Sequence, residues 1–333
     1  MTIEEARDAE ILDLFEAGNQ RGLARAISRA ESGRGEGLVH ALFGRSGHAR
    51  TVGLTGPPGV GKSTLTSRLV SIARAEGRDV GVVSVDPSSP FSHGAILGDR
   101  IRLSDHFTDA GVFIRSMASR GHLGGLAGAS GDAVMLMDAF GLNAIFIETV
   151  GVGQSEIEIA ELADTTVVVL QPGSGDSVQL LKAGILEIAD IFVVNKADHP
   201  MALQLRREIR SMMEMLDFKG WVPRLVSTRA HDGDGVDELW KALGEHADYL
   251  RASGELVHRR QAAFAHRVRA LVMGEIERRV EPSVEACAAG AGEHSDPYRA
   301  AASLLEPLAP VLPPPRDGKA ERPRPGRATV RGL

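Results

Sequence analysis

The stretch Thr51-Val-Gly-Leu-Thr-Gly-Pro-Pro-Gly-Val-Gly-Lys-Ser-Thr64 decides how the rest of the chain is read. Residues Gly56 to Ser63 match G-x-x-x-x-G-K-[ST], whose glycines let the backbone turn with positive φ and lie against phosphate oxygens. Val52 and Leu54 precede it in an apolar run that reads as a buried strand, and Leu65 to Ala75 follow it as a helix. Strand, glycine loop and helix in that order aim several backbone N–H groups and a helix N-terminus at one anion. Gly56, Pro58, Gly59, Val60, Gly61, Lys62, Ser63 and Thr64 therefore form the cradle of a nucleoside triphosphate. Lys62 would reach the β- and γ-phosphates, and the Ser63 hydroxyl would ligate Mg²⁺. The expected fold class is α/β, a P-loop NTPase domain with a mostly parallel sheet and helical extensions at both ends.

Further strands carry the acids that such a site needs. Val80-Gly-Val-Val-Ser-Val-Asp86 reads as a parallel strand buried on both faces and ending in an acid. Strand-end acids lie beside the phosphate loop in this type of sheet, which makes Asp86, and Asp99 after it, candidates for Mg²⁺. Taken alone, each such acid is more often a turn or helix cap. Val112-Phe-Ile-Arg115 is a short strand leading into a polar, glycine-rich loop, residues 116–125. Asn143 to Val150 form a strand that closes on Glu148-Thr-Val-Gly151, followed by Val-Gly-Gln154. Glu148 is placed to hold Mg²⁺, usually through water, and the Gly151 N–H to sense the γ-phosphate. Gln154 either orients the attacking water or is an exposed residue at a helix start.

The base is chosen later in the chain. Phe192-Val-Val-Asn-Lys-Ala-Asp198 places Asn195-Lys196-x-Asp198 after a buried strand. A carboxylate at Asp198 accepts from guanine N1–H and its 2-amino group, and a buried Asp198 facing adenine would be left without donors. Lys196 can lay its stem over the base, and Asn195 can tie loops together. A last strand, Arg224 to Thr228, runs into Arg229-Ala230 and the turn Asp232-Gly-Asp-Gly235, and the Ala230 N–H is the candidate donor to guanine O6. The nucleotide is GTP, with GDP as product.

The remaining segments are helical or irregular. Residues 1–47 read as a helical arm with apolar stripes at Ile11, Leu12, Phe15, at Leu23, Ile27, and at Leu38, Leu42, Phe43. The nucleotide-binding domain covers 48–250, ending in a helix from Val236 that turns Leu239, Trp240 and Leu243 inward. Residues 251–306 form a second arm whose stripe of Phe264, Val268, Leu271, Val272 and Ile276 calls for a partner surface, either the domain itself or, the reading favoured by a finished sheet, a second subunit, and Pro282 stops the helix. From Pro307 to 333 the Pro/Arg-rich tail reads as disordered. A net charge of −6 supplies no general attraction to nucleic acid or membrane. Cys287 is the only cysteine, which excludes an intrachain disulfide or a thiolate cluster. The first residues lack a signal peptide's pattern, and no apolar run approaches a membrane span, so a cytoplasmic protein is expected.

With these motifs in place the chain resembles the MeaB/ArgK family of P-loop GTPases, bacterial counterparts of the methylmalonic aciduria type A protein. The resemblance rests on the phosphate loop, Asp86-Pro-Ser-Ser89, Ile96-Leu-Gly-Asp99, residues 113–125, Glu148 to Ser155, Gln171-Pro-Gly-Ser-Gly-Asp176 and Asn195 to Asp198. It implies a GTPase of low intrinsic rate that acts as chaperone to a coenzyme B12-dependent acyl-CoA mutase, gating adenosylcobalamin loading and protecting or rescuing the enzyme. An adenosyltransferase is a further candidate partner, and a homodimer through the C-terminal arm is implied. By resemblance Ser63, Asp86, Asp99 and Glu148 map to Mg²⁺-linked positions, and residues 171–182 to a switch that senses the partner. Arg229 stands where relatives often carry a small residue. Arg115 and Arg120 are the cis candidates for an arginine finger. A metallochaperone GTPase that inserts metal into an enzyme is the alternative reading, against which the lone Cys287 weighs. A small-molecule kinase fits Asn195 to Asp198 least, and the family's older label of amino-acid transport kinase finds no phosphorylating site here.

Overall fold

Among the described residues, seven runs of β-branched and apolar residues make seven strands: β1 (Arg50–Thr55), β2 (Val80–Pro87), β3 (Val112–Ser119), β4 (Ala144–Thr149), β5 (Thr165–Leu170), β6 (Ile191–Asn195) and β7 (Arg224–Thr228). They pair in the order β3-β2-β4-β1-β5-β6-β7, every pair parallel. The computed structural model describes residues 3–87, 100–119, 129–149, 155–174, 185–292 and 295–306. Its contacts divide the chain into two units, residues 1–274 and 275–333.

Helices cover both faces of the sheet, and alternate strand residues feed two sides. Val52, Leu54, Val82, Phe146 and Val167 pack with Leu65 and Leu69 of α4 (Lys62–Ala75) and Leu239 and Leu243 of α8 (Val236–Ser253). Val83, Val85, Ile145 and Ile147 face the other way, onto α5 (Ala129–Phe140) and the N-terminal helices α1 (Ile3–Glu16), α2 (Gln20–Glu31) and α3 (Glu36–Leu42). At β5 and β6 that opposite side packs Val168, Leu170, Phe192 and Val194 on α7 (Ala202–Glu214). α6 (Ser155–Leu162) lies beside β1. Because β4, β5 and β6 are buried at every residue, their sequences show no alternation of apolar and polar positions.

Several expectations change. β3 runs on to Ser119, paired with β2 through Pro87, so residues 116–119 are strand and not loop. Main-chain ladder bonds ignore side-chain polarity, and a polar strand end looks like a loop in sequence. Phe43 is exposed because the chain leaves α3 through a short 3₁₀ turn, Phe43–Arg45. Trp240 is only partly buried, and its indole N–H donates to Glu76 Oε1 at 2.6 Å. α9 (Glu255–Ala289) carries Pro282 inside it and does not stop there. The proline removes one main-chain donor at a cost of about 3 kcal/mol, and the flanking helix formers continue regardless. α10 (Pro297–Leu305) follows, capped by Asp296.

The start of α9 is fastened to the sheet within the first unit. Arg259 grips Asp190 with two 2.8 Å bonds, and Arg260 grips Asp164 at 3.0 and 2.9 Å. Asp190 directly precedes β6 and Asp164 directly precedes β5. Burial pushes the Asp190 carboxyl up, but His246 and Arg259 outweigh it and hold it below the ordinary carboxylate range. Beyond this root, Phe264, Val268, Leu271 and Val272 are exposed.

Candidate functional site

The loop between β1 and α4 is shaped by contacts that only glycine allows. Gly56 has φ 141°, and a Cβ there would collide with the Val169 carbonyl of β5. Gly61 has φ 96°, and a Cβ there would strike the Asn195 side-chain amide. α4 begins at Lys62, so its free N–H groups open into the loop. Lys62 is 5% exposed, and its Nζ donates to the Gly56 carbonyl at 2.7 Å and the Pro57 carbonyl at 2.8 Å. Pro58, Gly59 and Val60 complete the turn ahead of it.

β4 adjoins β1 in a register that sets Glu148 against Leu54, just before the loop. The buried Glu148 carboxylate accepts a hydrogen bond from the Ser63 hydroxyl, and Thr66 Oγ1 lies 3.2 Å from its other oxygen. Thr66, buried one turn beyond Ser63, also donates to the Lys62 carbonyl at 3.0 Å. A hydroxyl and a carboxylate are hard oxygen donors, the set that suits Mg²⁺ when phosphates and waters complete its octahedron. Among the described residues no group of three or more His, Cys, Asp or Glu is arranged to hold a metal ion. Asp86 is the last residue but one of β2, which is separated from β1 by β4. The strand-end acid read as lying beside the loop is thus one strand farther out than Glu148, about 5 Å more. Asp99, Gly151, Gln154, Arg120 and residues 175–184 lie outside the described residues, as does the tail from 307.

The base side is built around Asn195, 3% exposed at the end of β6. Its Nδ2 donates to the Val60 carbonyl at 2.7 Å, and its Oδ1 accepts from Thr228 Oγ1 at 2.9 Å and from the Ala230 N–H at 3.0 Å. One amide thus ties the phosphate loop to the chain that follows β7. Lys196 takes a left-handed backbone, φ 55°, and its Nζ donates to the Gly59 carbonyl at 2.9 Å. Asp198 is exposed, which corrects the expectation of a buried carboxylate. It sits in the turn after β6. Ala230 is buried with its N–H on Asn195, and the Arg229 guanidinium pairs with Asp234 and, at 3.8 Å, with Asp232.

Two further residues complete the arrangement without any motif to announce them. Thr66 is one, and Arg68 on α4 is the other, with Nε on the Ala230 carbonyl at 3.2 Å and Nη2 on the His231 carbonyl at 2.5 Å. Their partners are remote in sequence, so no local spacing signals them. Arg115, a candidate finger, pairs with Glu31 and donates to Ser28 Oγ at 3.0 Å. It belongs to the contact between β3 and α2, which withdraws it from the phosphates.

Comparison with known proteins agrees with this geometry. A family model described as methylmalonyl-CoA mutase-associated GTPase MeaB matches residues 23–285. A protein of Pyrococcus horikoshii named as a GTPase is 43% identical over 309 residues, covering 90% of this chain and 98% of its own. The mitochondrial methylmalonic aciduria type A homolog of Mus musculus is 38% identical over 215 residues, 63% of this chain and 52% of that one. Among solved structures, that of a LAO/AO transport system kinase is similar with a TM-score of 0.68 at 26% identity, covering 93% of this chain and all of that one.

Proposed function

Because the chain belongs to the MeaB family of GTPases, we propose that it couples GTP hydrolysis to the care of a coenzyme B12-dependent acyl-CoA mutase. It would gate adenosylcobalamin loading and protect or reactivate the enzyme, methylmalonyl-CoA mutase or a relative. The chain is a guanine-nucleotide-binding P-loop GTPase. The client is suggested by the family's description and by the name of the mouse relative. The observation that carries the nucleotide chemistry is the buried Ser63–Glu148 pair beside the loop, joined by Asn195 to the base side.

Lys62 would exchange the Gly56 and Pro57 carbonyls for β- and γ-phosphate oxygens, and the loop N–H groups would bind the same anion. Ser63 and Glu148 would hold Mg²⁺, with Asp86 and Asp99 as outer acids. The ion would neutralise charge on the transferred phosphoryl group. Gly151 would sense the γ-phosphate and Gln154 would orient water. Asp198 would read the guanine N1–H and 2-amino group, with Lys196 over the base. A low intrinsic rate fits positioning by the loop and the ion, since the cis candidate Arg115 is engaged by Glu31. Acceleration would then come from the partner. The exposed apolar residues of α9 suit a homodimer, and the reading places the protein in the cytoplasm. Among the described residues no helix is long and apolar enough to cross a membrane.

The test is GTP turnover with and without a purified B12-dependent acyl-CoA mutase, with Lys62→Ala as the control whose hydrolysis should vanish. Faster turnover and co-elution of the two proteins are expected. Neither stimulation nor a complex with any mutase of that class would remove the client from the proposal.

A further inference from the structure

Arg68 stands on the helix that Lys62 opens, yet both of its hydrogen bonds leave that helix. They end on two successive carbonyls, Ala230 and His231, in the loop after β7. A planar guanidinium with donors in a fixed fork can hold two such oxygens at once, whereas a lysine ammonium is a single point of attachment. The partners are main-chain groups and not a carboxylate, so the contact sets the path of the loop more than it neutralises charge. The loop is also pinned at its other parts. Arg229 N donates to the Asp234 carbonyl at 2.9 Å, and the Ala230 N–H lies on Asn195 Oδ1. Between these anchors the backbone of residue 230 is held from both sides: Asn195 takes its N–H and Arg68 its carbonyl. Ala230 itself belongs to the same buried cluster as Leu65 and Leu69 of α4.

We propose that Arg68 is a positioning residue for guanine recognition, fixing the Ala230 carbonyl while the Ala230 N–H, which donates to Asn195 Oδ1, is shared with the O6 edge of the base. The inference rests on the reading of Ala230 as the O6 donor. It adds a direct link from the phosphate-binding helix to the part of the site that distinguishes bases. The two hydrogen bonds of Arg68 end on main-chain carbonyls of the loop. Its loss should therefore weaken a base contact selectively and leave phosphate binding in place.

The discriminating ligand is 6-thioguanosine diphosphate, which keeps the N1–H and the 2-amino group and replaces O6 by a weakly accepting sulfur. Binding of GDP and of this analogue is measured by calorimetry in the presence of Mg²⁺, for the unsubstituted protein, Arg68→Ala and Arg68→Lys. The unsubstituted protein should prefer GDP by about tenfold, the worth of one well-placed hydrogen bond. Arg68→Ala should weaken GDP about fivefold while the analogue stays within about twofold, so the preference collapses. Arg68→Lys should fall between the two, and it serves as the readout if the alanine variant does not fold. A GDP-to-analogue ratio in the variants equal to that of the parent overturns the proposal, even if both affinities drop, because a parallel loss marks a plain structural tether. Equal binding of the two ligands by the unsubstituted protein overturns the O6 reading itself, and the role of Arg68 with it.

Discussion

Replacing Asn195 by alanine tests whether one buried amide holds the two halves of the nucleotide site together. The side chain makes three hydrogen bonds, to the Val60 carbonyl, Thr228 Oγ1 and the Ala230 N–H. Val60, Thr228 and Ala230 are themselves buried, so truncation strands three polar groups. A stranded buried group costs about 1–3 kcal/mol, and a water in the space vacated by the amide would keep each near the lower limit. The expected loss is about 3 kcal/mol. At about 2–4 °C per kcal/mol for a domain of this size, nucleotide-free protein should unfold some 6–12 °C earlier, read by circular dichroism. If GDP binding must now order both loops, its affinity should fall up to about a hundredfold. Gly61 sharpens the test. A methyl group there collides with the Asn195 amide, so Gly61→Ala alone suffers both that clash and the strain of φ 96°. In the Asn195→Ala background the clash disappears and only the backbone strain remains, about 1–2 kcal/mol. The double variant should therefore be more stable than the sum of the two losses requires. Additive losses, or an Asn195→Ala protein that melts within about 2 °C of its parent, would refute the tie.

Asp198→Asn should shift preference from GTP toward xanthosine triphosphate by about a hundredfold or more, because an amide donor suits a 2-oxo group. The residue is exposed, so folding should hardly change, and retained GTP preference in binding assays would refute the base contact. Arg259→Ala should cost about 3 kcal/mol at pH 7 in urea titrations, since it leaves the buried Asp190 carboxylate short of its main cation. Asp190 has a depressed pKa in the folded protein, so its contribution is present above the unfolded value of about 3.9 and is lost as pH falls below it. Parent and variant should therefore converge on acidification, and a difference independent of pH would contradict the assignment.

What the sequence made legible follows from where the physical constraint lies. The phosphate loop is readable because its chemistry dictates residue type and spacing together, and Asn195 because its task recurs after a buried strand. The strands β4, β5 and β6 are readable because burial on both faces leaves unbroken apolar runs at Ile145 to Ile147, Val167 to Leu170 and Ile191 to Val194. Arg68 and Thr66 are not, since each is a single polar residue whose partner lies far along the chain, 162 and 82 positions away. α7 escaped notice because its buried face is only Ala202, Leu205 and Ile209, beside exposed Met201 and Leu203. Asp198 is exposed in the turn after β6, and on the proposed function a bound guanine would be what covers its carboxylate.

The strand order explains why the site draws on residues so scattered. β1 delivers the phosphate loop from the middle of the sheet, so its two neighbours are the strands best placed to act on it. β4 contributes Glu148 at the level of Leu54. β5 contributes no side chain there, but its Val169 carbonyl forbids a side chain at Gly56 and so sets the bend of the loop. β6, one strand beyond, must reach across β5, and it does so with an amide long enough to touch Val60. On the other side β2 is also one strand beyond, and its register sets Ser84 against Glu148, so Asp86 stands two residues past the level of Glu148. On the proposed metal chemistry, Glu148 is then the acid beside Ser63. Strand order and register together separate the two carboxylates, which their similar strand-end positions in sequence could not do.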